Sequence, residues 1–375
     1  MNLLLYSHVI HKQHNGKTYA YGPYVKEMNL WLDEFDSVTI ISPSIQSDEI
    51  DPIDEPFICN QIDHIKLYSF SAKSLVDIFC SVFLVPLNSC IILYTMFLSG
   101  HVHVRCPGNI GLLASSIQLL FPWKRKSFKY AGNWVDDKGQ PLSYRIQRWI
   151  LANCLLTRKS TALVYGKKPS DKKCVSNAFT ATYSEHDALP VKARYLRRDQ
   201  PVQLVFAGAL ISGKNPLVAV DTCRILNENG LDTTLVICGT GPLLDILLKF
   251  ILQHGLNDKV VCKGNLNRKD LDIVYQSSHF LLMPSRSEGW PKAAAEAMWW
   301  GTLPVVSPVS CVPYMLDHGN RGLLVEPDAS QFAASILSMI EQPELYQLMC
   351  NKAMEWSRGY TIESFHELIK SVPKA

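Results

Sequence analysis

Two glutamates, Glu288 and Glu296, stand at the start of one predicted helix with seven residues between them. They belong to the stretch Ser285 to Ser307, SRSEGWPKAAAEAMWWGTLPVVS. Glu288 lies in a polar turn. Pro291 suits the first helical position, where its missing N–H costs nothing. Ala293, Ala294, Ala295, Ala297 and Met298 are good helix formers of little bulk. Gly301 ends the helix, and Pro304-Val305-Val306 begins a strand. Free N–H groups and a partial positive charge make a helix N-terminus suited to a phosphate or a developing anion. A carboxylate one turn further in, Glu296, can accept two hydrogen bonds from a vicinal diol such as a ribose. The plain alternative is a solvated helix with two exposed acids. The Ser-Glu-Gly turn, the small-residue helix and the following Pro-Val-Val weigh against it.

Other positions carry chemistry less directly. Arg105 closes the strand His101–Arg105, with His103 two residues earlier on the same strand face. Its guanidinium can bind a phosphate or an acceptor oxygen bidentately, or cap the strand through a salt bridge. Gly16 sits in a polar loop, His8 to Tyr21, where glycine lets backbone approach a ligand's phosphates, or simply makes a turn. Gly239-Thr240-Gly241-Pro242 looks like a dinucleotide fingerprint but lacks the third Gly and the distant acid. Trp123-Lys124-Arg125-Lys126 is either a solvated turn or a contact for anionic lipid headgroups. No metal site is expected. His8, His11 and His14 have no Cys or acid beside them, and Asp136-Asp137 before Lys138-Gly139 reads as a turn. The eleven Cys are scattered without a C-x-x-C and read as reduced core residues rather than disulfides or zinc ligands.

The elements that position these residues follow a doubly wound α/β order. Asn2–Tyr6 is a strand, Tyr24–Phe35 a helix and Ser37–Ser42 a strand, the opening of such a domain. Later strands are Phe128–Ala131 and Thr161–Tyr165, with a helix over 143–156. Tyr183 to Gln200 is polar and unpatterned and reads as a linker. A second run of strands follows at Gln203–Ala207, Thr234–Cys238, Val260–Lys263 and Phe280–Met283, the last delivering the Glu288 turn. At 375 residues, 47% hydrophobic and 19% charged, the chain supports two folded domains. A net charge of +3 gives no argument for nucleic acid. The N-terminus has no basic region or cleavage site and reads as a strand rather than a signal peptide. Leu75 to Leu98 is the most apolar stretch. Asp77, Pro86 and Asn88 interrupt it, so it reads as two consecutive helices, partly buried or dipping into a membrane surface, rather than a span.

The glutamate stretch resembles the C-terminal signature of the retaining glycosyltransferases of the GT-B fold, family four, P-S-x-x-E-G-f-g-x-x-x-x-E-A-m-a-x-G-x-P-V. It stands here as Pro284-Ser285-Arg286-Ser287-Glu288-Gly289-Trp290-Pro291-Lys292, then Glu296-Ala297-Met298, Gly301 and Pro304-Val305. The likeness is strong from Val202 to Asp328 and looser before. It implies two doubly wound Rossmann-like domains facing a deep interdomain cleft. Residues 1–190 would bind acceptor, residues 200–355 would bind a nucleotide sugar, and a C-terminal helix in 356–375 would cross back to the first domain. The resemblance further implies a retaining, metal-independent hexosyltransferase. It would use a UDP- or GDP-sugar without other cofactor, and act on a glycan or lipid-linked acceptor in surface polysaccharide or glycolipid biosynthesis. Such an enzyme would be cytoplasmic, with peripheral contact to an anionic inner membrane.

Carried over residue by residue, Glu296 would bind ribose, Lys214 the diphosphate, and Gly289, Trp290 and Lys292 the sugar. Glu288 would contact a hydroxyl near the anomeric carbon. Gly16, Gly208, Gly241, Asn265 and Leu266 would line the donor site. Glu288, Lys214 and Arg105 are the catalytic candidates, and His103, Asn133 and Trp134 the acceptor candidates. Three departures stand out. Pro291 replaces a frequent Gly, Ala209 replaces the first of two diphosphate-binding cations, and the usual strand-end His residues are absent. Lys292 or Arg286 can supply the missing charge. The same architecture also serves nucleotide-sugar 2-epimerases, and it can persist as a non-catalytic sugar- or lipid-binding protein.

Overall fold

The computed structural model describes residues 2–51, 53–58, 62–71, 74–98, 100–134, 140–165, 172–192 and 194–372. The chain divides into two compact units, Met1–Thr180 with Glu363–Ala375, and Ala181–Ile362.

The first unit runs β1 (Asn2–Tyr6), β2 (His11–His14), β3 (Lys17–Tyr21), α1 (Gly22–Leu32), β4 (Ser37–Gln46), β5 (Asp54–Pro56) and β6 (Ile62–Leu67). It continues through α2 (Leu75–Leu98), β7 (His101–Cys106), α3 (Asn109–Ile117), β8 (Lys126–Tyr130), α4 (Leu142–Leu151), β9 (Ser160–Tyr165) and β10 (Val175–Ala178). The strand order is β10-β9-β8-β7-β1-β4, with β6 parallel to β4 along Val38–Pro43. The last residues of β4 pair instead with β2. The central strands β1, β7, β8 and β9 are buried on both faces, as parallel strands are, though β7 and β8 bury His and Lys among their apolar residues. Leu4, Tyr6, Val102, Val104, Phe128 and Val164 form the centre of the core. The order reverses between β1 and β7, and a doubly wound sheet opens its ligand crevice at such a switch, outside the carboxyl ends of the strands.

Several expectations are corrected here. The polar loop over 8–21 is a β-hairpin, with His14 opposite Lys17. Asn15 and Gly16 occupy its tight turn at φ 48° and 73°, the left-handed pair that a two-residue hairpin turn requires. The two helices expected over 75–98 are one continuous helix. Its interior Pro86 is accommodated, and Asn88 bonds the backbone of Tyr68 through both ends of its amide. Lys126 is not part of a surface basic cluster. It is buried in β8 with its ammonium on the carbonyls of Phe121 and Gln118, and burial lowers its pKa to about 8. Cys154 and Cys174 form a disulfide, and Cys80 and Cys90 are exposed rather than in a core. Asp136 to Gly139 lie outside the described residues.

The second unit contains β11 (Val202–Ala207), α5 (Pro216–Glu228), β12 (Thr233–Cys238), α6 (Leu244–Gln253), β13 (Val260–Gly264), α7 (Arg268–Ser277) and β14 (Phe280–Met283). It ends with α8 (Lys292–Trp299), β15 (Leu303–Val306), α9 (Val312–Met315), β16 (Leu323–Leu324), α10 (Ala329–Ile340) and α11 (Pro343–Ser357). All six strands are parallel in the order β13-β12-β11-β14-β15-β16. This places the switch point between β11 and β14. The segment read as a linker packs here, with Tyr183 stacked on Trp299 at 4.7 Å. The last helix, α12 (Ile362–Ser371), packs with the first unit through Phe365 against Phe179 and His366 on Glu34.

The turn after β12 crosses the turn after β11 at very short range. Gly239 has φ 147°, and a Cβ there would lie 2.0 Å from the Gly208 carbonyl oxygen. Gly239→Ala is therefore expected to lower stability by more than about 2 kcal/mol, read as a shift of the urea midpoint. An unchanged midpoint would contradict the close approach.

Three histidines of the first unit are buried and neutral. Burial holds His11 at about 3 and His101 at about 4, and His103 lies well below 6.5. His101 and His103 share the Ser127 hydroxyl, each at 2.8 Å, and one hydroxyl can donate to one ring while accepting from the other. The unfolded chain takes up protons near 6.5 and the folded chain only nearer 4 or below, so the unfolded state binds more protons in between. Stability is then full above 6.5 and falls as pH drops, by at most about 1.4 kcal/mol per pH unit for each histidine. Denaturation midpoints measured from pH 7 to pH 4.5 should fall accordingly, and His101→Gln should flatten the slope.

Candidate functional site

The strand order of the second unit puts two loops side by side at its switch point. One follows β11 and holds Gly208 to Asn215. The other follows β14 and holds Pro284 to Pro291. Three bonds tie them. Asn215 donates its amide to the Pro284 carbonyl at 2.9 Å, and the Arg286 N–H donates to the Gly213 carbonyl at 2.9 Å. The Lys214 ammonium lies 2.5 Å from a Glu288 carboxylate oxygen. Asn215 makes this possible by taking φ 48°, a left-handed position that Asn tolerates.

Glu288 is 8% exposed, and its N–H donates to the Ser310 hydroxyl at 3.2 Å. The Lys214 side chain is more open, at 30% against 6% for that of Glu288. The cation thus faces outward while the acid holds it from below. Gly208 takes φ 153°, and the space its absent Cβ would fill is open, so an anion can come close to the backbone there. Gly241 takes φ 158° beneath the Leu210 carbonyl, at 2.6 Å from where a Cβ would stand. Asn265 is exposed and Leu266 half-buried in the loop after β13.

Helix α8 begins at Lys292, so its free N–H groups open toward the Glu288 turn. It ends in a Schellman cap: Thr302 N–H to Ala297 O, Gly301 N–H to Met298 O, with Gly301 at φ 69°. Glu296, one turn in, accepts from the Thr182 hydroxyl at 2.8 Å and the Tyr275 hydroxyl at 3.3 Å. Burial first, and then the charge of Glu296, raises the Tyr275 pKa well above 10, so this phenol stays a donor. Trp290 turns its indole into an aromatic cluster with Tyr360 and Trp356, at 5.3 and 6.0 Å. Cys311 donates its S–H to the Gly289 carbonyl.

In the first unit, Arg105 is at the carboxyl end of β7. Its guanidinium lies 3.7 Å from Glu27 and over the Tyr24 ring at 4.8 Å. The salt-bridge reading of this residue is therefore realised, with 15% of its side chain open. His103 is fully buried, 4.2 Å from Trp31, and Trp134 is core, edge-on to Tyr130. Neither side chain faces solvent. Asn133 is half-buried, and its carbonyl accepts from Gln140. Gly16 lies in the hairpin turn and is exposed.

Sequence reasoning missed Thr182, Tyr275 and His8. The two hydroxyls meet Glu296 only through folding, and no local pattern marks them. His8 had a signal, its position just past the end of β1. A Cβ on Gly108 would meet the His8 ring at 2.9 Å, so the two loops flanking this switch point touch. Burial, then the charge of Arg105, lowers the His8 pKa to about 4. Among the described residues no group of three His, Cys, Asp or Glu could hold a metal.

Residues 190–356 match the family model for glycosyl transferases group 1. A relative from Salmonella typhimurium, a putative colanic acid biosynthesis glycosyltransferase WcaL, is 32% identical over 182 residues, 46% of this chain and 45% of that one. The chain spans less than half the length of the curated relatives it matches first. Among solved structures, sucrose-phosphate synthase from Thermosynechococcus elongatus superposes with a TM-score of 0.68 at 16% identity, covering 99% of this chain and 98% of that one. Anabaena HepE in complex with UDP and glucose superposes with a TM-score of 0.69 at 11% identity, covering 99% and 98%. The fold is thus that of the GT-B glycosyltransferases, and residues 190–356 carry the group 1 glycosyl transferase pattern on it.

Proposed function

We propose that the chain is a retaining glycosyltransferase of family four. It would move a hexose-type sugar from a UDP- or GDP-sugar to a glycan or lipid-linked acceptor in surface polysaccharide or glycolipid biosynthesis. The reaction would need no metal and would run at the cytoplasmic face of the membrane. The observation that carries this reading is the Lys214–Glu288 pair at the second unit's switch point, with Glu296 one helical turn beyond. The relative named for colanic acid biosynthesis and the complex of HepE with UDP and glucose support it.

In this reading the diphosphate lies against Gly208 and the amino end of α8. Lys214, aided by Lys292, meets the charge that grows on the leaving phosphate, and electrostatic stabilisation of this kind is usually the largest catalytic contribution. Glu288 fixes the lysine and reaches a hydroxyl near the anomeric carbon. Glu296, already oriented by Thr182 and Tyr275, exchanges or shares those donors with the ribose diol. Entry of the acceptor from the same face as the departing phosphate accounts for retention without a covalent sugar–enzyme bond. Arg105 is the candidate for an acceptor or phosphate contact from the first unit.

Thermal stabilisation by UDP-, GDP- and ADP-sugars tests donor binding. A bound donor at a hundredfold excess over Kd stabilises by about 2.7 kcal/mol, and no stabilisation by any of the three would overturn the reading. Lys214→Met should lower transfer about a hundredfold or more, the scale of losing one preorganised charge contact. Glu296→Gln should weaken donor binding by about tenfold, losing charge-assisted bonds worth roughly 1.5 kcal/mol. Wild-type rates in Lys214→Met would remove that residue from catalysis.

A further inference from the structure

Helix α2 is the most apolar helix of the chain, yet most of it is uncovered. It is long and apolar enough to cross a membrane by length and composition. One face is fixed to the first unit. Ile92 and Met96 enter the core, Thr95 bonds the Tyr6 hydroxyl at 2.8 Å, and Asn88 holds the backbone of Tyr68. The opposite face is exposed along the whole helix, about 36 Å at 1.5 Å per residue. Phe79 is 67% exposed and Phe83 64%, and Leu87, Tyr94, Phe97 and Leu98 continue the stripe. No charged side chain interrupts it after Asp77. A patch this large on a soluble surface marks an interaction site.

What covers it follows from charge. Between residues 75 and 180 the sequence has fourteen Lys and Arg against four Asp and no Glu, and elsewhere 23 against 30. None of these cations lies in α2 or α3, and Lys126 and Lys129 are buried, so the ones that bear on the stripe are those the fold brings to its end. At the carboxyl end of α2, Lys124 donates to the Phe97 carbonyl at 2.9 Å. This puts Trp123, 58% exposed, and Arg125 beside the end of the stripe. Helix α3 lies against both α2 and α4, and α4 adds exposed Leu142 and Trp149 with Arg145. An apolar band flanked by aromatic and basic side chains is what the headgroup boundary of an anionic bilayer selects.

We propose that the exposed face of α2 docks in the plane of an anionic phospholipid bilayer, with Trp123, Lys124 and Arg125 at headgroup level. The helix lies in the leaflet and does not cross it, because its other face stays bonded to the first unit. This deepens the membrane-side reading above by naming the surface, the lipid charge and the orientation. It is tested without sugar nucleotide, so its failure is separable from failure of the transferase reading.

The full chain should sediment with vesicles of phosphatidylcholine mixed with phosphatidylglycerol, far less with phosphatidylcholine alone, and less as salt is raised. Phe79→Ser with Phe83→Ser should weaken that binding by about tenfold for each ring while thermal unfolding stays unchanged. Wild-type protein left in the supernatant, or the double variant binding as wild type, would overturn the proposal. If instead the double variant changes self-association without vesicles and leaves vesicle binding intact, the stripe belongs to a second copy and the proposal fails. Orientation is read from Cys80 and Cys90, both free and exposed, each labelled with a fluorophore and quenched by lipids brominated at known depths. In-plane docking gives both labels the same shallow depth. A crossing helix separates them by about 15 Å, which would overturn the orientation, and no quenching of either label would overturn the surface.

Discussion

A carboxylate in a protein interior has to be partnered, since its effective desolvation penalty is several kcal/mol even after relaxation. Glu288 is such a group, and Lys214 partners it from the neighbouring loop. The pair draws together two turns that lie more than seventy residues apart in the chain. It also sets which group meets an incoming anion, because the lysine is the more open of the two. The site is thereby charged and shaped before any ligand arrives, the condition under which fixed charges do most for a developing anion. The rest of the second unit serves this placement. Its strand order makes the two turns adjacent, and the Gly208–Gly239 crossing lets them approach.

Glu296 depends on a longer chain of contacts. Tyr275 is fully buried and its phenol cannot ionise near neutral pH, so it acts only as a donor toward the carboxylate. Tyr183, nearby, donates to Asp272 at 2.6 Å and accepts from the Trp300 indole at 3.0 Å. Arg268 reaches Asp187, and its guanidinium covers the Tyr183 ring at 4.7 Å. Residues 182 to 187 thus belong to the second unit's framework around Glu296. Tyr183 is the buried member, and the hydrogen bonds that hold it fix geometry because partial satisfaction of a buried polar group is costly.

The parallel strands were legible because burial on both faces leaves short apolar runs such as FLLM and TLVIC between turn residues. The Glu288–Glu296 helix was legible because Pro, Ala and Gly mark its start, body and end locally. What escaped was decided by distant partners. Tyr183–Gln200 lacks periodicity, so nothing local betrays that Tyr183 is core. The His11–Tyr21 hairpin was hidden because its strands are polar and only Asn15-Gly16 signals the turn. Pro86 and Asn88 suggested a break in 75–98, but a proline removes one helical bond and a neighbouring backbone can occupy the asparagine. His103 and Trp134 show the reverse error. Residue type and strand-end position suggested a ligand contact, whereas packing against Trp31 and Tyr130 decides their place.

The orientation of α2 turns on a balance that the structure lets one weigh. Releasing its bound face to span a bilayer would give up the burial of Ile92 and Met96, at about 1.5–3 kcal/mol each. It would also strand the Asn88 amide, whose partners are the N–H and carbonyl of Tyr68, at a cost of about 1–3 kcal/mol in an apolar medium. The Tyr6 hydroxyl would lose its Thr95 partner in the core. Docking the exposed face in the plane forfeits none of these and still removes the Phe79, Phe83 and Phe97 rings from water. The same side chains that make 75–98 look like a span are thus held in a frame that favours lying flat. Asp77, at the amino end with its N–H on the Ser74 hydroxyl, can then stay at the polar boundary, where a carboxylate keeps its water.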